Sequence, residues 1–207
     1  VNRERAALTA IARAPMRTVR ARDLADVYAH PGPELAALAG RGVVRRLAHG
    51  FYCAVPPEHV GTAWRPSVEA ASAAVATALY GDRVPVLTGL SAARIHRALP
   101  RAIAVGHVAV PAQRRPLRFA DREGEIRFIA RAVADLDAVV VPTDLGQALV
   151  TTAEQTVLDL ARNDPRGEDL DAQQSITALR PECDLDTMRD LAERQRMRAT
   201  FARVVGS

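Results

Sequence analysis

The chain contains no lysine. All 28 of its basic residues are arginine, set against 24 Asp and Glu. Without lysine there is no phosphate-binding loop of the Gly-Lys-Ser/Thr type and no Schiff-base chemistry. The strand lysine of an ordinary protein kinase is missing as well. Cysteine is nearly absent. Cys53 and Cys183 stand far apart and fit no zinc spacing, so reduced, packed thiols are expected and no metal centre. Aromatic residues make up only 4% of the chain, which leaves alanine and valine to fill the core and predicts closely packed helices rather than large cavities. No apolar run approaches a membrane span. The N-terminal residues are charged and hold no apolar leader core. The expectation is a cytoplasmic protein with no membrane partner.

What is present is a globular composition with uneven charge. The chain has 207 residues, 48% of them apolar, enough for one domain or two small ones. Residues 1–56 hold nine Arg against four acids, a net of +5. Residues 57–131 hold eleven against six, again +5, and residues 132–207 hold eight against fourteen, a net of −6. A basic front and middle point to a polyanionic partner. Arginine is suited to that role, because its planar guanidinium forks onto phosphate oxygens.

Local patterning supplies the architecture. From Gly42 to Val55 the residues alternate with a period of two, with His49-Gly50 at the turn, which predicts a β-hairpin. Three helical patterns precede it. The first runs from about Asn2 to Ala14 and stops at Pro15. The second carries Leu24, Val27 and Tyr28 on one face. The third starts near Pro33, with Leu35 and Leu38 inward. Three helices followed by an arginine-bearing hairpin is the order of a winged helix-turn-helix, with the hairpin as wing. The third helix offers Glu34, Ala36, Ala37 and Arg41, a poor set for reading base edges. Arg17, Arg20 and Arg22 flank the second helix, and Arg45 and Arg46 lie on the wing. With Arg41 these are the candidate DNA contacts, directed mainly at phosphates. Specificity would then come from DNA shape or from cooperative self-association on DNA.

A Pro-rich linker at 56–61 separates residues 1–58 from a second region, 63–207. There a small-residue helix spans Ser67–Tyr80, a short strand Val84–Leu87, and a helix capped by Thr88 runs to about Leu99. Strands are predicted at Ile103–Pro111, Gly124–Arg131, Val139–Pro142 and Gln147–Thr151, with a basic loop at Arg114, Arg115 and Arg118. Thr152 to Gln155 has capping-box spacing and opens a helix to Arg162. Helices at Leu170–Leu179 and Leu185–Val204 close the chain. The predicted fold class is α+β: an N-terminal winged helix-turn-helix followed by a mixed α/β domain.

Three stretches resemble the AbiEi antitoxins of type IV toxin–antitoxin systems. They are Gly42 with Gly50-Phe-Tyr52, Thr88-Gly-Leu-Ser-Ala-Ala-Arg-Ile-His96, and Leu149-Val-Thr-Thr-Ala-Glu-Gln-Thr-Val-Leu-Asp-Leu-Ala161. They occur in the family's order and span nearly the whole chain. The resemblance implies a winged-helix domain that binds operator DNA and represses its own operon. It implies a C-terminal antitoxin domain that neutralises a cognate AbiEii-like nucleotidyltransferase toxin. The alanine-rich third helix departs from the family's usual polar one.

Few residues suggest chemistry. Ser91 lies in Gly-Leu-Ser-Ala-Ala, which is not a nucleophile elbow. His96 suits a packed or surface position on its helix. Asp159 and Asn163 form Asp-x-x-x-Asn at a helix end, usually structural, although a carboxylate and an amide can hold Mg²⁺ beside phosphates. Two functions remain. One is a DNA-binding antitoxin with no cofactor. The other is an atypical phosphotransferase that uses Mg²⁺ and ATP to inactivate the toxin by phosphorylating it, with Asp159 and Asn163 as its candidate catalytic residues.

Overall fold

Two sheets enclose one helix in this structure, a computed structural model that describes residues 2–206 and is α+β. The front consists of α1 (Asn2–Arg13), β1 (Thr18–Arg20), α2 (Pro31–Gly40), β2 (Val44–Ala48) and β3 (Phe51–Ala54). Its three strands are antiparallel in the order β1-β3-β2. The register places Arg20 opposite Phe51, Arg46 opposite Tyr52, and Arg45 opposite Cys53. Gly50 sits at φ +80°, the left-handed conformation this tight turn needs. One face of the sheet, through Val19, Val44 and Tyr52, packs on Ala7, Ile11, Leu35 and Leu38.

The second helix of the predicted front is not an α-helix. The chain makes a 3-10 turn at Ala21–Leu24, and the N–H groups of Ala25 and Val27 reach back three residues to Arg22 and Leu24. Pro31 holds His30 out of the helical region, which ends the stretch before a regular helix propagates. Leu24 and Tyr28 still reach the core, so the apolar spacing was real and the helix type was not.

The rear begins with α3 (Val68–Tyr80), β4 (Val86–Leu87), α4 (Gly89–Ile95), β5 (Val105–Val110), β6 (Leu117–Arg118) and β7 (Glu125–Ala130). It continues with β8 (Ala138–Thr143), β9 (Gly146–Thr151), α5 (Ala153–Asn163), α6 (Leu170–Leu179), α7 (Leu185–Arg194) and α8 (Arg198–Gly206). The sheet order is β6-β7-β5-β4-β9-β8, with β5·β7 and β4·β9 parallel and the other pairs antiparallel. Arg118 thus lies on a strand, not in a loop. The helix after Thr88 ends at Ile95, ahead of a left-handed Arg97 (φ 62°). The predicted last helix divides at Arg196 (φ 57°), which lets Met197 turn into the core of the rear helices.

Helix α3 explains why the chain can do without large residues. Ser67 caps it by accepting the Ala70 N–H at 3.2 Å. Residues 69–77 are all buried, because the three-stranded sheet covers one side and the six-stranded sheet the other. Small side chains let both approach. Gly106 on β5 completes the fit: a Cβ there would stand 1.8 Å from Ser72 Oγ and 2.7 Å from Ser72 Cβ. Glu69, buried at the same helix, is neutralised by Arg94 Nε at 2.7 Å.

Front and rear share this core. Leu47, Phe51 and Cys53 belong to the same buried cluster as Ala70–Ala76, Leu87 and Val108. The Ala120 N–H donates to the Leu47 carbonyl at 2.9 Å, and Ala48 bridges to Phe119. Met16 enters the cluster as well, its sulfur accepting from Thr77 Oγ1 at 3.4 Å. To place it there, Met16 and Arg17 both take left-handed backbone (φ 50° and 48°), at a cost of about 1–2 kcal/mol each.

A fragment of residues 1–58 would expose Met16, Leu47, Phe51 and Cys53 to water. We expect it to show no cooperative thermal transition by circular dichroism, while the whole chain melts in one step. A sharp melt of the fragment near the temperature of the whole chain would refute this. Gly106→Ala should cost about 1–3 kcal/mol by overpacking, read from denaturant midpoints.

Candidate functional site

The basic residues gather where front meets rear. Arg20 and Arg22 border β1, and the Ala21 N–H between them donates to the Gly50 carbonyl at 2.8 Å, drawing the hairpin turn against this strand. The loop before β6 brings Arg114 to the same place. Together Arg20, Ala21, Arg22, Gly50, Phe51, Leu79 and Arg114 line an open pocket of about 290 Å³. It brings three arginines beside the apolar residues Ala21, Phe51 and Leu79. Arg114 also acts on Tyr80: burial pushes the phenol up, and Arg114 draws it partly back.

The individual arginines differ in freedom. Arg17 and Arg22 are exposed. Arg20 is held by Asp23, its Nε 3.0 and 2.9 Å from the two carboxylate oxygens. Burial works to raise the Asp23 carboxyl, but the hydrogen bonds from Arg20 outweigh it and hold it below the ordinary range. Arg41 is exposed and paired with Glu4 at 2.8 Å, tying α2 to α1. Arg46 is exposed at the hairpin tip, with His49 Nδ1 at 2.7 Å from its Nη2. Arg45 lies on the opposite face, in line with Cys53 and half-buried against the rear, and its Nε is enclosed without a partner. Burial pushes the Cys53 thiol up to about 12, with Arg45 pulling the other way. The exposed face of α2 is Pro33, Glu34, Ala36, Ala37 and Gly40, which carries no donor side chain for a base edge.

Asp159 and Asn163 stand at a second place. Asp159 is only 2% exposed and accepts from Thr88 Oγ1 at 3.0 Å, Gln155 Nε2 at 3.1 Å and Arg131 Nη1 at 3.1 Å. Gln195 joins the network, 3.2 Å from Arg131 Nη2 and 3.1 Å from Gln155 Nε2. The pull of this carboxylate explains two departures from expectation. Thr88 precedes α4 but donates to Asp159 instead of capping the helix. Thr152 does cap α5, accepting the Gln155 N–H at 3.3 Å, while the Gln155 side chain turns inward to Asp159 and leaves the capping box half formed. The three donors tie Asp159 into the packing between the sheet and the rear helices. Asn163, four residues on, is exposed and opens onto a cleft of about 610 Å³ that also meets His107, Arg131, Arg162 and Asp164. His107 was not singled out in the sequence. Its Nδ1 is buried and unpartnered, and desolvation, then Arg127, holds the imidazole below its ordinary range.

The remaining candidates are structural. Ser91 is buried in the first turn of α4 and accepts the His107 N–H at 2.9 Å. His96 Nε2 donates to the Thr151 carbonyl at 2.7 Å. Among the described residues, no group of three His, Cys, Asp or Glu side chains could hold a metal ion, and no helix is long and apolar enough to cross a membrane.

No family model and no curated protein matches the sequence. Among solved structures the fold is similar to that of the RV2827C protein from Mycobacterium tuberculosis. The TM-score is 0.55 at 17% identity, over 93% of this chain and 72% of that one.

Removing the Asp159 carboxylate would leave the buried hydroxyl of Thr88 and the amide of Gln155 without this acceptor and take the ion partner from the half-buried Arg131. Asp159→Ala should therefore destabilise the fold by about 1–3 kcal/mol, measured by urea denaturation. Unchanged stability would show that the network is not structural.

Proposed function

We propose that the protein binds double-stranded operator DNA through its basic front and serves as the antitoxin of a type IV pair. The observation that carries the first half is the pocket at Arg20, Arg22 and Arg114, with exposed Arg17 and Arg46 on the same arginine-rich front. The order helix, strand, turn, helix, hairpin and the strand order β1-β3-β2 support a winged-helix reading, with a 3-10 turn in place of the middle helix. In that reading α2 approaches the major groove without base-reading side chains. Affinity comes from phosphates and specificity from DNA shape. Arg114 makes the rear part of the DNA surface, and Arg45 drops out of the contact set because it faces the rear. The second half rests on the three AbiEi-like stretches. It assigns neutralisation of a nucleotidyltransferase toxin to residues 63–207. Phosphorylation of that toxin would have to work at the Asn163 cleft with Arg131 and Arg162, and without Asp159, whose oxygens are occupied. We favour neutralisation without chemistry.

DNA binding is tested by titrating the DNA upstream of the gene at several salt concentrations. Arg114→Ala and Arg22→Ala should each weaken binding to all sequences alike and lower the slope of log affinity against log salt by about 1. Arg45→Ala should leave the slope unchanged. A slope indifferent to Arg22 and Arg114 would move the interface elsewhere. The antitoxin role is tested by expressing a neighbouring nucleotidyltransferase from an unrelated promoter. Failure of the protein to restore growth would reject it. Mass measurement of the toxin after incubation with Mg-ATP separates the two modes, since a phosphoryl adduct would overturn our preference.

A further inference from the structure

Among the described residues no other segment covers the outer edge of strand β8, whose one guard is Pro142 near its end. The strand closes one side of the six-stranded sheet and reads Ala-Val-Val-Val-Pro-Thr, with no charge. Val139 and Val140 are 43% and 41% exposed. Native edges are normally kept short, charged or covered. The opposite edge follows that rule: β6 has two residues, one of them Arg118, and follows Arg114 and Arg115. The outer side of β2 is engaged by Ala120 and Phe119. Among the described residues β8 is therefore the long apolar edge left open.

A second observation adjoins it. Val140 stands opposite Leu149 on one sheet face. On that face Val86, Ala109 and Leu136 form a small cluster whose remaining members, Val133, Ala138 and Leu149, are only partly buried. The cluster ends at β8 with its apolar surface half covered.

We propose that β8 pairs antiparallel with β8 of a second copy about a two-fold axis, joining two sheets into one. The backbone selects the partner and the register. The β8–β9 turn closes at Thr143 opposite Gly146, and Thr152 N–H donates to the Asp137 carbonyl at 3.0 Å. The odd residues of β8 thus face β9, and Ala138, Val140 and Pro142 turn their backbone groups outward. Pro142 has no N–H to give. A pairing centred on Val140 or Val141 would need it. Centred on Val139, Ala138 lies opposite Val140 of the second copy and exchanges both bonds, and the two-fold repeats this without using Pro142. The uncharged strand brings no like charges together at the axis. The described residues of each chain offer one such edge, so the pairing closes as a dimer and does not propagate. A contact built on six residues is small and reversible, below the area of a stable interface. The inference does not depend on DNA binding, although two copies on one DNA molecule would pair more readily.

The test uses the full chain with Cys183→Ser, leaving Cys53, which is fully buried. In this background Val139→Cys should form a disulfide-linked dimer under mild oxidation, because non-hydrogen-bonded opposite residues approach within bridging range. Val140→Cys should stay monomeric. Concentration-dependent dimerisation in sedimentation velocity should be lost in Val140→Lys and in Val140→Pro, with the circular dichroism of the lysine variant unchanged. Crosslinking of Val140→Cys as fast as Val139→Cys would overturn the register. A chain that stays monomeric at every concentration, or that forms open-ended aggregates reduced by Val140→Lys, would overturn the two-fold pairing. All of these readouts are taken without DNA, so their failure is separate from a failure to bind operator sequences.

Discussion

Helix α3 is the constraint on which the rest depends. It is covered by a sheet on each side, and a helix in that position can carry only small side chains if both sheets are to close on it. That requirement accounts for the run from Ala70 to Ala76 and for Gly106 opposite Ser72. It also decides how the front is held. Phe51, Cys53 and Leu47 are the front's contribution to covering α3, and Met16 adopts an unfavourable backbone to join them. Burial of apolar surface offsets the local strain.

Charge is arranged around the same seam. The two arginine-rich segments of the sequence meet at Arg20, Arg22 and Arg114, while the network of Asp159, Arg131, Gln155 and Gln195 fastens the sheet to the rear helices. A guanidinium is suited to both tasks. It stays charged when partly buried and satisfies a carboxylate and an amide at once, as Arg131 does. A chain without lysine uses one side chain for packing, bridging and display, and only position tells these roles apart.

Period-based features were legible in the sequence. The hairpin, α3, α5 and the strands from Val105 onward follow alternation or helical spacing, which depends on burial. The features that failed depend on competition. Whether the segment carrying Leu24 and Tyr28 forms an α-helix or a 3-10 turn depends on Pro31, and Leu185 to Val204 breaks where Met197 gains burial. At the site, the sequence could list Arg45 and Arg46 as equals. Only the register shows that one faces the rear and the other the solvent. Arg114 lay in a segment recognised as basic, yet its approach to Arg22 is a tertiary fact with no local signature. Asp159 is legible in the sequence through its Asp-x-x-x-Asn spacing with Asn163. Its partner Arg131, just past the end of β7, has no such signature.

The seam along α3 has a consequence for descent. Proteins made of independent modules change partners by exchanging one module whole. Here a front acquired from another chain would arrive with its own Leu47, Phe51 and Met16 counterparts, shaped to a different central helix. It would be accepted only together with a matching α3. The two halves are therefore expected to diversify in step, by paired changes across the shared core, and new surface properties would arise through surface substitution rather than through recombination at the linker.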